Sequence, residues 1–218
     1  MSRLFGDNHR LLQDQFDTRR IADRIELIAA KTELDEQAIA FISSRDMFFL
    51  STINGQGQPT VSYKGGEKGF VKVLDSKTIV FPSYDGNGMF LSMGNIALTK
   101  KVGLLFMNFE TPHRVRVQGE AAVSATDPLL KDFKDAELLV RVTVTDTWIN
   151  CPRYIHTYKK VEQSRYAPTA ECETPMAEWK RVDILQDALP VKDVGKAELN
   201  GGTMTIEEWF KNASEGRG

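Results

Sequence analysis

The sequence predicts a mainly β protein with peripheral helices, built on six or seven antiparallel strands. Three observations lead to this. From Met47 onward, short apolar runs recur at intervals of about ten residues, each closed by a glycine-, asparagine- or aspartate-rich turn. The run from Leu139 to Asp146 alternates cleanly, with Val140, Val142 and Val144 facing one way and Arg141, Thr143 and Thr145 the other. A single helical stretch, from Met89 to Leu98, interrupts the meander. Strands of this kind make a sandwich or a barrel, and closure into a barrel would remove the exposed edges.

Along the chain, residues 1–18 are polar with scattered apolar positions and no clear period, and are assigned as an arm. Ile21, Ile25 and Ile28 recur at helical spacing and predict a helix over about Arg19 to Lys31. A second helix is expected from Asp35 to Ser44, with Leu34, Ala38, Phe41 and Ile42 on one face. Met47 to Thr52 ends at Asn54-Gly55-Gln56-Gly57, a strong turn signal, so Pro59 to Lys64 should return as a hairpin. Phe70 to Leu74, Thr78 to Phe81, Val102 to Met107 and His113 to Val123 are the further strands, and Asp127 to Asp135 reads as a helical crossover. Pro168, Pro175 and Pro190 mark residues 159–200 as a loop-rich tail over the barrel. The capping-box spacing Thr205-Ile-Glu-Glu208 should start a terminal helix. The expected organisation is one structural domain: residues 1–44 as arm and helices packed on the barrel, 45–158 as the barrel, and 159–218 as tail and helix.

The 218 residues carry 28 Lys and Arg against 30 Asp and Glu, a net charge of −2. That balance argues against bulk attraction to nucleic acid or an anionic membrane. The strands also lack a basic stripe interleaved with stacking aromatics. Two cysteines cannot form a disulfide framework, and His9, His113 and His156 are too dispersed for a zinc spacing. No apolar stretch approaches a membrane span and the start of the chain is polar, so a cytoplasmic protein is expected.

Three segments carry candidate chemistry. Pro82-Ser83-Tyr84-Asp85-Gly86-Asn87-Gly88 feeds a helix start, where free backbone N–H groups suit a phosphate, with Asn87 and Ser92 as added donors. Lys64, at a strand end beside Gly65 and Gly66, could supply the charge a dianion needs, if the two segments lie side by side. Trp148 to His156 combines aromatic, polar and cationic groups after the clearest strand. Cys151 precedes Pro152 and has no base in its pattern, and there is no Ser-His-Asp order, carboxylate pair, Walker or Rossmann glycine pattern. No catalytic residue is assigned. A phosphate cradle without an acid–base set points to a cofactor that carries the chemistry.

The run from Phe41 through Val123 resembles the pyridoxamine 5′-phosphate oxidase-like family, the FMN-binding split β-barrels. The likeness rests on Phe48-Phe49-Leu50-Ser51-Thr52, Gly55-x-Gly57-x-Pro59, Lys64-Gly65-Gly66-x-x-Gly69-Phe70, Gly86-Asn87 with Gly94-Asn95-Ile96, and Val115-Arg116-Val117-x-Gly119. Asn150-Cys151-Pro152-x-Tyr154-Ile155 looks like the mark of an uncharacterised subgroup. The resemblance implies a homodimer with FMN at the subunit interface and a small-molecule electron donor and acceptor. By position, Thr60, Val61, Ser62, Phe81, Pro82 and Ser83 would line the flavin and ribityl chain. Lys64, Asn87, Gly88 and Ser92 would lie toward the phosphate, and Trp148, Asn150 and Arg153 would approach from the other subunit. Two departures stand out. Asn87-Gly88 replaces the Arg-Lys pair of the oxidase proper, and neither Leu129 to Glu137 nor the terminal Trp209-Phe210-Lys211-Asn212 supplies its substrate-phosphate residues. The resemblance therefore implies an FMN-dependent oxidoreductase other than the vitamin B6 enzyme; the alternative is a non-catalytic flavin- or haem-binding barrel.

Overall fold

Strict alternation builds β1: Phe48, Leu50 and Thr52 are buried while Met47, Phe49 and Ser51 are less so. The computed structural model describes residues 2–216. Three helices, α1 (Asp7–Gln15), α2 (Arg19–Ala29) and α3 (Glu36–Ser43), come first. Strands β1 (Met47–Ile53), β2 (Pro59–Gly65), β3 (Lys72–Asp75) and β4 (Thr78–Tyr84) follow, then α4 (Leu91–Thr99). Strands β5 (Lys101–Asn108), β6 (His113–Ser124) and β7 (Ala136–Ile149) complete the sheet.

All pairings are antiparallel, in the order β2-β1-β5-β6-β7-β4-β3. The ladder is not closed, since β2 and β3 remain as edges; full closure, which would have removed them, does not occur. The sheet nevertheless curls. Phe48 of β1 lies 4.9 Å from Phe81 of β4, although three strands separate β1 and β4 in the ladder. Phe48 also packs on Phe70 at 5.9 Å and Phe106 at 5.1 Å, and Leu50, Ile79, Leu104, Val115, Val140 and Val142 complete this interior. Aromatic rings from both halves of the sheet thus fill a split barrel. Gly119, at a bulge between β6 and β7, is required by contact: a Cβ there would meet the Thr143 carbonyl oxygen at 2.5 Å.

Asp35 caps α3 by accepting the Ala38 N–H at 2.8 Å, and Ala38 and Ile42 turn into the core. Three expectations are corrected. The arm contains α1, which packs on α2 and is held by charged contacts rather than by buried apolar residues, so no hydrophobic period announces it. The crossover is not an α-helix but a 3-10 turn at Leu130–Asp132. It is fixed by a forked Arg141–Asp127 pair at 2.9–3.2 Å and by Phe133 packing against Val80 and Leu139. The clearest strand is also longer than its valine alternation, running through Trp148 to Ile149.

Contacts divide the chain into two compact units, one ending at Gln163 and one beginning at Ser164. The second unit contains 3-10 turns at Glu178–Arg181, Asp183–Ala188 and Val191–Asp193, then α5 (Lys196–Leu199) and α6 (Ile206–Ser214). Its interior holds a buried ion pair, Lys180 Nζ to Asp193 Oδ2 at 2.6 Å. Arg181 donates to the carbonyls of Gly201 and Gly202. The capping box forms between Thr205 and Glu208, as its spacing predicts.

Candidate functional site

Side-chain alternation on β2 sorts the first candidates. Thr60, Ser62 and Lys64 face inward and are half-buried, whereas Val61 and Tyr63 point out and are exposed. Helix α4 lies along the inward row. Thr99 Oγ1 donates to the Ile53 carbonyl at 3.1 Å, Asn95 Nδ2 donates to Thr52 Oγ1 at 3.1 Å, and the hydroxyls of Ser62 and Ser92 meet at 3.1 Å. The Thr52 and Thr60 hydroxyls join the same row at 2.9 Å. These contacts fix the direction of α4. Its C-terminal end sits by Ile53, its first turn by Ser62, and Lys64 lies two residues further along β2, past the helix start.

The electrostatics at that end are one-sided. The Lys64 ammonium makes no hydrogen bond or ion pair with any described residue, and burial holds its pKa below the ordinary lysine value. The helix it flanks has no side-chain cap at its N-terminus, where Phe90 stands in the left-handed region at φ 47°. Uncapped first-turn amides carry the positive end of the helix dipole. A partly desolvated ammonium, whose pKa shift has burial as its only cause, therefore stands past a helix start without a side-chain cap, an arrangement that favours an anion. The glycine-rich loop contributes less than its sequence implied. Gly88 takes φ 75°, which a side chain would resist, and Asn87 spends its oxygen on the Met89 N–H at 3.1 Å. Asn87 Nδ2 points to Met89 Sδ at 3.3 Å.

At the end of β4, Phe81 is fully buried in the barrel core, so its side chain is a packing residue. Pro82 and Ser83 are buried and pair with Leu139 and Leu138 of β7. On the other edge, β3 reaches only Thr78–Val80, leaving the β4 backbone from Phe81 to Tyr84 without a strand neighbour there. Tyr84 follows. Burial, with smaller contributions from the Glu67 and Asp135 carboxylates, pushes its pKa up to about 12. One of the five tyrosines should thus ionise near that value in a spectrophotometric titration, and its signal should vanish in Tyr84→Phe. A titration in which all five ionise near 10 would contradict this environment.

The third group lies elsewhere in the chain. Register places Tyr63, Phe49, Leu105, Arg116 and Trp148 in one lateral row on the outer face of five strands. Trp148 is therefore on the opposite face from Lys64, and β2 and β7 are not ladder neighbours. Asn150 follows the strand, and the Arg153 guanidinium covers the Tyr154 ring at 5.1 Å with both side chains exposed. Within one chain, then, the structure brings Thr60, Ser62, Lys64 and Ser92 together but not Trp148, Asn150 and Arg153. Asn95, which the glycine-loop and lysine signals do not single out, is buried and anchors α4 to Thr52. An asparagine inside the apolar run Met93-Gly94-Asn95-Ile96-Ala97-Leu98 was the available signal.

The family described as pyridoxamine 5′-phosphate oxidase matches residues 34–147, from just before α3 almost to the end of β7. The chain belongs to that family. No curated protein matches it by sequence. Among solved structures it is similar to an FMN-binding protein from Syntrophomonas wolfei subsp. wolfei, at 14% identity and TM-score 0.42, covering 65% of this chain and 97% of that one. It is also similar to HutZ, the haem storage protein of Vibrio cholerae, at 15% identity and TM-score 0.40, covering 53% and 94%. HupZ of Group A Streptococcus is similar at 15% identity and TM-score 0.45, covering 53% and 94%. Among the described residues no helix is long and apolar enough to cross a membrane.

Proposed function

We propose that the chain is an FMN-dependent oxidoreductase, acting in the cytoplasm as a homodimer with flavin sites at the subunit interface. The observation that carries the reading is Lys64: an uncompensated, partly buried cation past the bare start of α4, inside a family whose fold is that of flavin proteins. The residues fit the group. Lys64, Ser92 and the first-turn amides of α4 would hold the phosphate, Thr60 and Ser62 would line the ribityl side, and the open backbone edge from Phe81 to Tyr84 would meet the ring. Pro82 has no N–H, so a backbone donor on that edge would come from a neighbour such as Ser83. Bound FMN supplies hydride and electron transfer between a small-molecule donor and acceptor. The chain's own part is to bind, orient and keep the ring dry. Ser62 and Ser92 brace strand against helix at 3.1 Å, Asn95 fixes the helix to β1, and neutral Tyr84 offers a donor that does not ionise in the working range. Trp148, Asn150 and Arg153, remote from Lys64 within one chain, would reach the site from the partner subunit.

The protein should not oxidise pyridoxamine or pyridoxine 5′-phosphate. That reaction needs cationic and hydroxyl groups for a second phosphate, and the crossover around Phe133 and the terminal Trp209-Phe210-Lys211-Asn212 contain none of the family's set. FMN-loaded protein is expected to yield no more pyridoxal phosphate than free FMN, while its flavin bleaches anaerobically with a reduced nicotinamide. Multiple turnover on either vitamin would contradict the reading. Stable flavin that no donor bleaches would favour a store or sensor without turnover. One observation favours that second reading: burial pushes the Tyr84 pKa up to about 12, so this tyrosine does not titrate near neutrality as a general acid or base would.

A further inference from the structure

Every buried hydroxyl hydrogen needs an acceptor, and between α4 and the sheet one row leaves little choice. Asn95 Nδ2 donates to Thr52 Oγ1 at 3.1 Å. Thr52 and Thr60 are register partners across β1 and β2, and their hydroxyl oxygens lie 2.9 Å apart. Thr52 is 1% exposed and Asn95 7%, so the middle hydroxyl is closed to water, whereas Thr60 is half-buried.

A hydroxyl carries one hydrogen and two lone pairs, and an amide nitrogen only donates. Asn95 therefore occupies a lone pair of Thr52 Oγ1, and the Thr52 hydrogen must go elsewhere. Thr60 Oγ1 is the acceptor within its reach among the described residues. A buried donor left unpaired carries its full desolvation penalty, so Thr52 donates to Thr60. Thr60 is then an acceptor on its buried side, and its own hydrogen has no acceptor among the described residues. Facing inward on β2, Thr60 offers that hydrogen to whatever fills the site.

We propose that Asn95 is a positioning residue: acting through Thr52, it makes the Thr60 hydroxyl a fixed donor to an acceptor oxygen on the ribityl side of FMN. The proposal rests on the flavin reading above and adds a requirement to it, that the group meeting Thr60 accept a hydrogen bond. Ser62 and Ser92 meet at 3.1 Å with no third partner to order them, so either hydroxyl donates to the other. The row is fixed at Thr60 and adaptable at Ser62.

The test is calorimetric titration of FMN into flavin-free protein across pH, for wild type, Asn95→Asp, Thr60→Val and the double variant. An ionised carboxylate at position 95 only accepts, which reverses the row: Thr52 turns to it, Thr60 turns to Thr52, and no hydrogen is left for the ligand. A protonated carboxyl donates and keeps the wild-type order. The Kd of Asn95→Asp relative to wild type should thus be near one at low pH. It should rise about three- to tenfold as pH passes the carboxyl's pKa, which burial raises above the ordinary value of about 3.9. Thr60→Val should cost a similar factor, and in that background the step from Asn95→Asp should largely disappear. A step of equal size with and without the Thr60 hydroxyl is what charge repulsion or a disturbed helix gives; it would overturn the proposal and leave the flavin reading standing. Should a variant misfold, hydroxyl-proton exchange by NMR in flavin-free wild type decides. The Thr52 hydrogen should exchange slowly and the Thr60 hydrogen fast; a Thr60 hydrogen as slow as that of Thr52 overturns the proposal. A wild type that takes up no FMN overturns the flavin reading and, with it, the ligand named for Thr60.

Discussion

Phe48→Ala should destabilise the barrel by about 3–5 kcal/mol, the usual cost of truncating a buried phenylalanine. Phe48 is fully buried, and its ring touches Phe70, Phe81 and Phe106, so it joins β1 to β4 across the interior rather than along the ladder. No neighbour can collapse into the space, since all three rings are held by their own strands or by the turn before β3. For a unit of this size the loss corresponds to a drop in Tm of roughly 10 °C. Phe49→Ala is the control: one residue on, the side chain points to the outer face and meets Tyr63 edge-on at 6.2 Å. It should cost far less. Equal losses for Phe48→Ala and Phe49→Ala in thermal unfolding would mean the sheet does not curl around Phe48.

Lys64→Ala should weaken FMN binding by about 1.5–3 kcal/mol, the scale of one charged hydrogen bond, or roughly 10- to 150-fold in Kd. The effect should depend on pH. Burial holds the Lys64 pKa below the ordinary value, and only the charged form attracts a phosphate. Wild-type affinity is therefore full below that lowered pKa and lost as pH rises through it, earlier than a solvated lysine near 10.4 would allow. Lys64→Ala should show a weaker, flatter profile. Stability of the flavin-free protein runs the other way. Between the lowered and the ordinary pKa the unfolded chain holds more protons, so stability rises with pH. Titration calorimetry at several pH values checks the affinity; an unchanged Kd in Lys64→Ala would remove it from the phosphate site.

What the sequence shows of this fold follows from which forces leave a period. β1, and β7 from Val140 to Val144, announce themselves because every second residue is buried. The helix α4 and its glycine loop are legible from turn chemistry, and Lys64 from its place beside two glycines. The α1 helix leaves no such mark, because the Arg10–Asp23 and Arg19–Asp14 ion pairs hold it where a hydrophobic face would be visible. The 3-10 turns of the second unit hide for the same reason, resting on Lys180, Asp193 and Arg181. For the site, alternation on β2 separates Thr60, Ser62 and Lys64 from Val61 and Tyr63, but their meeting with Ser92 depends on how α4 folds back, which no local pattern encodes. The outer position of Trp148 likewise depends on register across five strands.

The central claim is that the uncompensated cation at the start of α4 is one end of an FMN site. The most direct measurement is mass spectrometry of the cofactor released from protein purified without added flavin, with its amount set against chain concentration. The account predicts FMN, one per chain, restored by adding FMN to stripped protein. Haem or a deazaflavin in its place, or stripped protein that takes up no FMN, would contradict it.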